Sequence, residues 1–290
     1  MTSQSVSAKA AYKSSSKLLP NLNSRSQRFG LFALISVILC GCHRQNEPLS
    51  PNQRETIQAR VNTRFDNAVL FKPADSVSNV TVAVRLAPLI IQEMADTNAA
   101  SLWRDQFAAG DSGPVVTGES GTTVVNGRPH DQVSYSWTYA ASEPSTPSVR
   151  HRQGLRLTLN ASGEPVLWEV LDDSTGADII YAAQSLELAA RAQFGPPLPG
   201  RKFSLERGLE EAPRTVVANV ISDGPVPMGP VVYLFRGSHD VGALICRCME
   251  AQARELVGQK EYQLVVATNA SVRFPSREGI ERRLRLPERF

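Results

Sequence analysis

The sequence has few of the residues and none of the motifs that most often carry catalysis or metal binding. Only four cysteines and four histidines occur among 290 residues. The chain contains no His-Glu-x-x-His pair, no phosphate-binding Gly-Lys-Ser/Thr loop and no Gly-x-Gly-x-x-Gly turn. These absences favour a non-enzymatic role, and the sequence predicts neither a cofactor nor a metal site.

Acidic residues are missing from the first 41 positions, where five basic residues lie between Lys9 and Arg28. The apolar stretch that follows, from Phe29 to Leu39, is too short to span a bilayer as a helix, which takes about 20 apolar residues. A basic segment, a short apolar core and then small residues are typical of an export signal.

The apolar stretch ends in a four-residue motif, Leu39-Cys40-Gly41-Cys42. This motif resembles the lipobox of bacterial lipoprotein precursors, which has a branched apolar residue three positions before the modified cysteine and a small residue directly before it. The resemblance implies cleavage before Cys42 and a diacylglyceryl thioether plus an N-terminal acyl chain, such as palmitate, on that cysteine. Several acyl chains anchor a protein stably in a membrane. The resemblance also implies a bacterial cell-envelope lipoprotein, and His43 in place of Asp favours the outer membrane where two membranes exist.

The mature chain after the signal is close to neutral. The whole sequence has 31 basic and 28 acidic residues. Five of the basic residues lie in the predicted signal peptide, which leaves 26 basic and 28 acidic residues in the mature chain. A near-neutral chain gives no electrostatic case for nucleic-acid binding. The predicted partners are therefore the membrane, through the lipid on Cys42, and another envelope protein.

The pattern along the chain predicts an α+β fold with mixed or antiparallel sheets and packed helices. The predicted segments are a signal peptide at 1–41, a tether at 42–75 with one short helix near 54–65, a first subdomain at 76–198, a second at 199–275 and a loose charged tail at 276–290. The boundary between the subdomains is placed at Gly195-Pro196-Pro197-Leu198-Pro199-Gly200, which stops a helix.

Individual elements follow from the spacing of apolar residues. The clearest unit is a β-hairpin in which the turn 160–163 joins two alternating runs. Trp137 and Trp168 are predicted to be core residues. Strands are predicted at 80–85, 122–125, 132–139, 154–159, 165–171, 216–221, 231–235 and 262–268. Helices are predicted at 88–107, 177–194 and 240–257, so that the last part of the chain forms a βαβ unit.

Cys246 and Cys248 form a candidate thiol pair. On the predicted helix 240–257 two such residues point about 200° apart, which prevents both a disulfide and joint binding of one metal ion. The favoured interpretation is a pair of inert thiols with Cys248 buried. The alternatives are a redox pair, which requires a loop at Arg247, and metal handling, for which two thiols are too few.

Gly237-Ser238-His239-Asp240 forms a candidate ligand turn directly before that helix. Free backbone N–H groups and the helix dipole could hold an anion there, and His239 could titrate near neutral pH. Capping of the helix by Ser238 or Asp240 is the favoured alternative. The sequence thus predicts a lipid-anchored binding or structural protein, with a thiol redox or metal-handling role as the second class.

Overall fold

β-Strands form most of the regular structure. The structure is a computed structural model that describes residues 47–60, 63, 65–74, 81–94, 109–110, 113–139, 152–223, 229–246, 256–267 and 279–290. Among these residues 48% lie in strands and 16% in helices. The predicted α+β fold with packed helices is therefore wrong, and the protein is mostly β.

The described residues contain twelve strands and four helices. The strands are β1 (Ala68–Pro73), β2 (Leu89–Glu93), β3 (Ala109–Gly110), β4 (Gly113–Val125), β5 (Arg128–Thr138), β6 (Arg152–Leu159), β7 (Pro165–Leu171), β8 (Asp178–Ala183), β9 (Thr215–Ile221), β10 (Pro230–Leu234), β11 (Val241–Cys246) and β12 (Leu256–Ala267). The helices are α1 (Pro51–Ala59), α2 (Val82–Arg85), α3 (Gln184–Phe194) and α4 (Ile280–Arg283). None of these helices has the length and apolar character that crossing a bilayer requires.

One sheet contains all twelve strands, in the order β11-β10-β2-β1-β12-β4-β5-β6-β7-β8-β9, with β3 paired to β4. Strands β4 to β8 are consecutive antiparallel neighbours, whereas β10–β2, β1–β12, β12–β4 and β8–β9 are parallel pairs. The sheet curves until it is nearly closed. Because its strands bury apolar side chains against one another, it needs no complete layer of helices to cover them.

Large aromatic side chains fill the core. Trp137, Trp168, Tyr135 and Tyr181 are each at most 2% exposed, which confirms the two tryptophans as core residues. Burying one large apolar side chain stabilises a fold by about 2 kcal/mol, so these residues are major contributors to folding.

The predicted hairpin is confirmed as β6 and β7. The side-chain Oδ1 of Asn160 accepts hydrogen bonds from the backbone N–H groups of Ser162 and Glu164, at 2.9 and 3.0 Å. Gly163 has a φ of 74°, a conformation that glycine adopts without a steric penalty. The predicted strands at 132–139, 216–221 and 231–235 likewise coincide with β5, β9 and β10, with shifts at their ends. Those at 122–125 and 262–268 cover only the last part of the longer strands β4 and β12.

The predicted helix at 240–257 is wrong at both ends, because Val241–Cys246 is a strand and β12 begins at Leu256. Its residues 247–255 lie outside the described part of the chain. Strand β11 pairs antiparallel with β10, so the last part of the chain contains a hairpin where a βαβ unit was predicted. A short apolar run fits a helix or a strand equally well, and an available neighbouring strand decides between them.

Three other predicted elements also differ. The helix predicted at 177–194 begins only at Gln184, after strand β8. The start of the helix predicted at 88–107 is strand β2, and its residues 95–107 lie outside the described part of the chain. The strand predicted at 80–85 is the short helix α2.

The segment 195–200 does not divide the molecule into two subdomains. The strands on either side of it, β8 and β9, are hydrogen-bonded neighbours in the same sheet. Arg201 fixes the following loop through hydrogen bonds from Nη2 to the Ala212 carbonyl and from Nη1 to the Thr215 carbonyl, at 2.7 and 2.8 Å. A helix stop followed by prolines therefore marks a long connection inside one sheet.

Residues 47–60 pack against the sheet, which corrects the prediction of a tether reaching to 75. Ser50 and Gln53 form a reciprocal capping box at the start of α1, with distances of 2.8 and 3.3 Å. Arg54 Nη1 donates to the Thr215 carbonyl at 3.0 Å, and Ile57 is 1% exposed. The short helix predicted near 54–65 overlaps α1 only in part, because α1 begins at Pro51 and ends at Ala59.

Residues 279–290 are also packed, although the sequence predicts a loose tail. Arg283 pairs with Glu169 in a buried ion pair, and Leu284 and Leu286 are buried. Asn126 Nδ2 donates to the Leu286 carbonyl at 3.1 Å. The alternation of arginines with leucines here supplies both buried apolar groups and a buried charge that has its partner on β7.

Candidate binding surfaces

Turns and strand ends gather at two ends of the sheet. One end, called the Glu47 end below, contains Glu47–Ser50, the β7–β8 turn Asp172–Ala177 and the β10–β11 turn Phe235–Asp240. The other, called the Phe290 end, contains the β4–β5 turn Asn126–Gly127, the β6–β7 turn Asn160–Glu164 and the segment Glu288–Phe290. The predicted ligand turn lies at the Glu47 end.

The predicted ligand turn connects two strands, with no helix after it. Phe235 and Asp240 close it through a backbone hydrogen bond of 3.0 Å, and Gly237 and His239 have positive φ angles of 75° and 58°. Without a helix there is no helix dipole at this position, so the main physical reason for anion binding falls away. Capping of a helix by Ser238 or Asp240 is excluded for the same reason, because strand β11 follows the turn.

His239 is part of a buried polar cluster. Its ring stacks on Tyr139 with centroids 3.5 Å apart and planes inclined by 3°, and the residue is 7% exposed. The Tyr139 hydroxyl donates to Gln92 Oε1 at 2.8 Å, and Trp137 Nε1 donates to that hydroxyl at 3.2 Å. Gln153 Nε2 donates to the His239 carbonyl at 3.1 Å. The cluster therefore joins the β10–β11 turn to β2, β5 and β6.

Asp240 and Asp173 are also occupied by internal hydrogen bonds. Asp240 accepts from the backbone N–H of Ser174 at 2.8 Å and from its hydroxyl. Asp173 accepts from Arg60 Nη1 at 2.9 Å and from the backbone N–H of Thr175 at 3.0 Å. These carboxylates tie α1, the β7–β8 turn and the β10–β11 turn together, which is a structural use of charge.

The buried hydroxyl of Tyr181 lies close to this group. Burial raises the pKa of Tyr181 well above its ordinary value, and the nearby Arg60 only partly opposes that effect. The side chain is therefore neutral at physiological pH. Its oxygen has no hydrogen-bond partner within the described part of the chain.

An open groove of about 770 Å³ lies at the Phe290 end. Its walls come from the start of β5, the β6–β7 turn and the last residues of the sequence: Arg128–Asp131, Asn160–Gly163 and Glu288–Phe290. The charged side chains along it, Arg128, Asp131, Glu288 and Arg289, belong to exposed residues. The groove thus presents charges of both signs to solvent.

An imidazole and a phenyl ring form one contact inside this groove. His130 and Phe290 stack with centroids 4.4 Å apart and planes inclined by 12°. His130 Nδ1 lies 3.0 Å from the Leu159 carbonyl oxygen, and a carbonyl can only accept, so Nδ1 carries a proton. In the neutral ring Nε2 is then left as an acceptor.

A smaller cavity of about 300 Å³ adjoins the groove and shares Glu288 with it. Asn126, Phe194, Arg207 and Arg285 are among its lining residues. Residues of the last segment of the chain therefore line both cavities: Leu284–Leu286 and Glu288 line the smaller one, and Glu288–Phe290 line the groove.

The structure places only one of the two candidate thiols. Cys246 is the last residue of β11, opposite Pro230 on β10, whereas Cys248 and the predicted lipidation site Cys42 lie outside the described residues. Within the described ranges, no group of three or more His, Cys, Asp or Glu residues is placed to hold a metal ion.

Comparison with known proteins identifies no relative. No family model, no curated protein and no solved structure matches this chain. The interpretation of the surfaces therefore depends on their geometry alone.

Sequence reasoning missed the groove because its parts are far apart in the chain. His130 stands alone in the sequence, and Phe290 falls in the segment predicted to be loose. The one local signal is that Leu284 and Leu286 alternate with arginines and that Phe290 follows, since such apolar residues are unusual in a solvated tail.

Proposed function

We propose that this protein is a lipid-anchored protein of the bacterial cell envelope that binds another envelope component without catalysing a reaction. The observation that carries the proposal is the Leu39-Cys40-Gly41-Cys42 motif directly ahead of a folded unit. Lipid on Cys42 would hold the protein at a membrane surface, and His43 favours the outer membrane.

The groove at the Phe290 end is the surface that best supports a binding role. An aromatic ring beside arginines is typical of protein-recognition surfaces, where aromatic residues and arginine are enriched. The histidine and aspartates at the Glu47 end, in contrast, are already bonded to other parts of the fold. Recognition therefore belongs to the groove, and the other end serves stability.

Mass spectrometry of the protein purified from its own membranes tests the anchor. We expect an N-terminus at Cys42 that carries a diacylglyceryl thioether and an amide-linked acyl chain. The matched control is Cys42→Ser, which should remain uncleaved and unacylated. An unmodified thiol at Cys42 would contradict the proposal.

Site-specific photocrosslinking in the same membranes tests the groove. A photoreactive residue in place of Arg289 should give a defined crosslinked product, whereas the same residue in place of Arg191, an exposed arginine on α3 outside the groove, should not. Equal labelling from both positions would contradict binding at the groove. Far-ultraviolet circular dichroism checks that both variants fold.

A thiol redox role is the second candidate, and one observation favours it. Cys246 ends a strand, so the helix that was predicted to begin at Asp240 and to keep the two thiols apart does not reach Cys246. In an extended chain, residues two apart point to the same face. Titration of thiols in the native protein, with and without reductant, distinguishes the two roles. A reversible disulfide favours redox chemistry, and two permanently reduced thiols favour binding alone.

A further inference from the structure

We propose that the Glu47 end lies against the phospholipid headgroups and that the groove at the Phe290 end points away from the membrane. This inference rests on the proposed lipid at Cys42. The inference adds an orientation to the anchor. The folded body is held close to the bilayer with its Glu47 end toward the membrane, because the chain that links it to the lipid is short.

The first step is the place where the chain joins the sheet. Arg214 Nη1 donates to the Glu47 carbonyl at 2.7 Å, and the Leu49 N–H donates to the Pro213 carbonyl at 3.3 Å. Ser50 then caps α1. Glu47 is therefore the first described residue that is held to the packed body.

The second step is the length of chain that remains. Only residues 43–46 separate Cys42 from Glu47, which makes five Cα–Cα steps. A fully extended chain covers at most about 3.6 Å per step, so the two Cα atoms are no more than about 18 Å apart. A flexible tether ending at 75 would instead reach about 30 Å on average.

The third step is which surface surrounds Glu47. The Arg214 side chain that holds Glu47 also donates to the Thr175 and Gly176 carbonyls, at 2.8 and 3.0 Å. Ser174 in the same turn donates to Asp240. The β7–β8 and β10–β11 turns are therefore grouped with the attachment point, and they share the short distance from the lipid.

The fourth step is the separation of the groove from that surface. His239 contacts Gln153 near the start of β6, and the Asn160–Gly163 turn follows the end of the same strand. Seven residues of strand cover roughly 23 Å. The groove is thus separated from the Glu47 end by about the length of a strand.

Charge also bears on what the Glu47 end can contact. Arg214 and Arg236 lie there together with Glu47 and Asp178, so neither sign dominates. The surface suits a phospholipid headgroup layer reached through the acyl anchor, and it does not depend on anionic lipid. Contact should therefore be the same on zwitterionic vesicles and on vesicles that include phosphatidylglycerol.

Headgroup quenching tests the orientation. The lipidated protein, in a Cys246→Ser/Cys248→Ser background, receives a fluorophore at Ser238→Cys in the β10–β11 turn or at Ser162→Cys in the β6–β7 turn. Both serines are exposed turn residues at opposite ends. On vesicles with nitroxide-labelled phosphatidylcholine headgroups, we expect quenching at 238 to exceed that at 162 several-fold. Equal quenching, or stronger quenching at 162, would overturn the proposal.

Three further variants distinguish a failure of folding from a failure of the proposal. A second pair, Glu55→Cys on α1 and Thr122→Cys near the tip of β4, repeats the comparison if either serine variant fails to fold. Inserting a Gly/Ser spacer of about 30 residues between Asn46 and Glu47 should abolish the difference, because such a spacer spans roughly 30 Å. A difference that survives the spacer would contradict a constraint set by chain length.

The outcomes separate this inference from the proposed function. If mass spectrometry finds no acyl group on Cys42, or the protein does not float with vesicles, the anchor itself is wrong. If the protein is acylated and floats but both ends are quenched equally, the anchor stands and the orientation is wrong.

Discussion

A histidine followed by an aspartate occurs at each end of the sheet, and the two aspartates have opposite surroundings. His239 and Asp240 are buried, and their polar atoms bond to Gln153 and Ser174. His130 is also buried and bonds to the Leu159 carbonyl, but Asp131 is exposed beside a groove. The difference shows that a reactive residue type in a turn says little about function until its partners are known.

The largest expected difference concerns the two aspartates. Asp240→Ala removes two hydrogen bonds to a buried carboxylate and should lower the free energy of unfolding by about 3 kcal/mol, since bonds to charged groups contribute about 1.5–3 kcal/mol each. Asp131→Ala, at an exposed site, should change it by less than about 0.5 kcal/mol. Urea denaturation followed by circular dichroism measures both. Equal effects would erase the contrast between the two ends.

Alkaline pH should lower the free energy of unfolding through the ionisation of Tyr181. Burial raises the pKa of Tyr181 in the folded protein, whereas in the unfolded chain it ionises near about pH 10. Above that pH the unfolded state loses a proton that the folded state keeps, so stability falls by about 1.4 kcal/mol per pH unit for this one group.

Tyr181→Phe is the variant that measures this effect. It should make the fall in stability less steep above about pH 10 and cost nothing at pH 7, because the hydroxyl has no described partner. Thermal unfolding across the alkaline range gives the slope. An unchanged slope in the variant would show that Tyr181 ionises in the folded protein as it does in the unfolded chain.

A smaller loss is expected when the Tyr139 hydroxyl is removed. Tyr139→Phe keeps the stack on His239 but leaves the buried Gln92 without its donor, which should cost about 1 kcal/mol of unfolding free energy. Chemical denaturation is again the measurement. An unchanged free energy of unfolding would mean that the buried cluster stabilises the fold through packing and not through its hydrogen bonds.

A change at the groove should affect both stability and binding. Phe290→Ala removes a partly buried ring and its stack on His130, and the stack alone contributes about 0.5–1.5 kcal/mol beyond the burial of the ring. The same variant should abolish crosslinking from position 289, because the groove loses one wall. Intact crosslinking in the variant would separate Phe290 from recognition and leave it a purely structural role.

Prediction from sequence worked best where neighbouring strands are also consecutive in the chain. The β6–β7 hairpin depends on local signals, namely alternation and the Asn160 turn, and it was found with nearly correct limits. Strand β11 was mistaken for a helix because its apolar run has no local feature that excludes one. Its pairing with β10, and the parallel pairing of β10 with β2, involve residues remote from it in sequence.

The two terminal segments of the packed unit show the same limit. Residues 47–60 and 279–290 are rich in charge, which favours solvent exposure when only composition is considered. Arg54 and Arg283 are nevertheless buried, because a carbonyl group and a carboxylate elsewhere in the fold accept hydrogen bonds from their guanidinium groups. A charged residue near an end of the chain therefore does not identify a loose segment.

The sequence by itself determined the consecutive strands, the tryptophans of the core and the motif that predicts a lipid at Cys42, because each depends on residues that are close together in the chain. Only the tertiary structure decided that one nearly closed sheet replaces two α+β subdomains, that His239 is internal and that Phe290 completes a groove. Those features depend on hydrogen bonds and ring contacts between segments that are remote in the sequence, as in the pairing of Val69 on β1 with Gly258 on β12, 189 positions apart. No local pattern encodes such contacts.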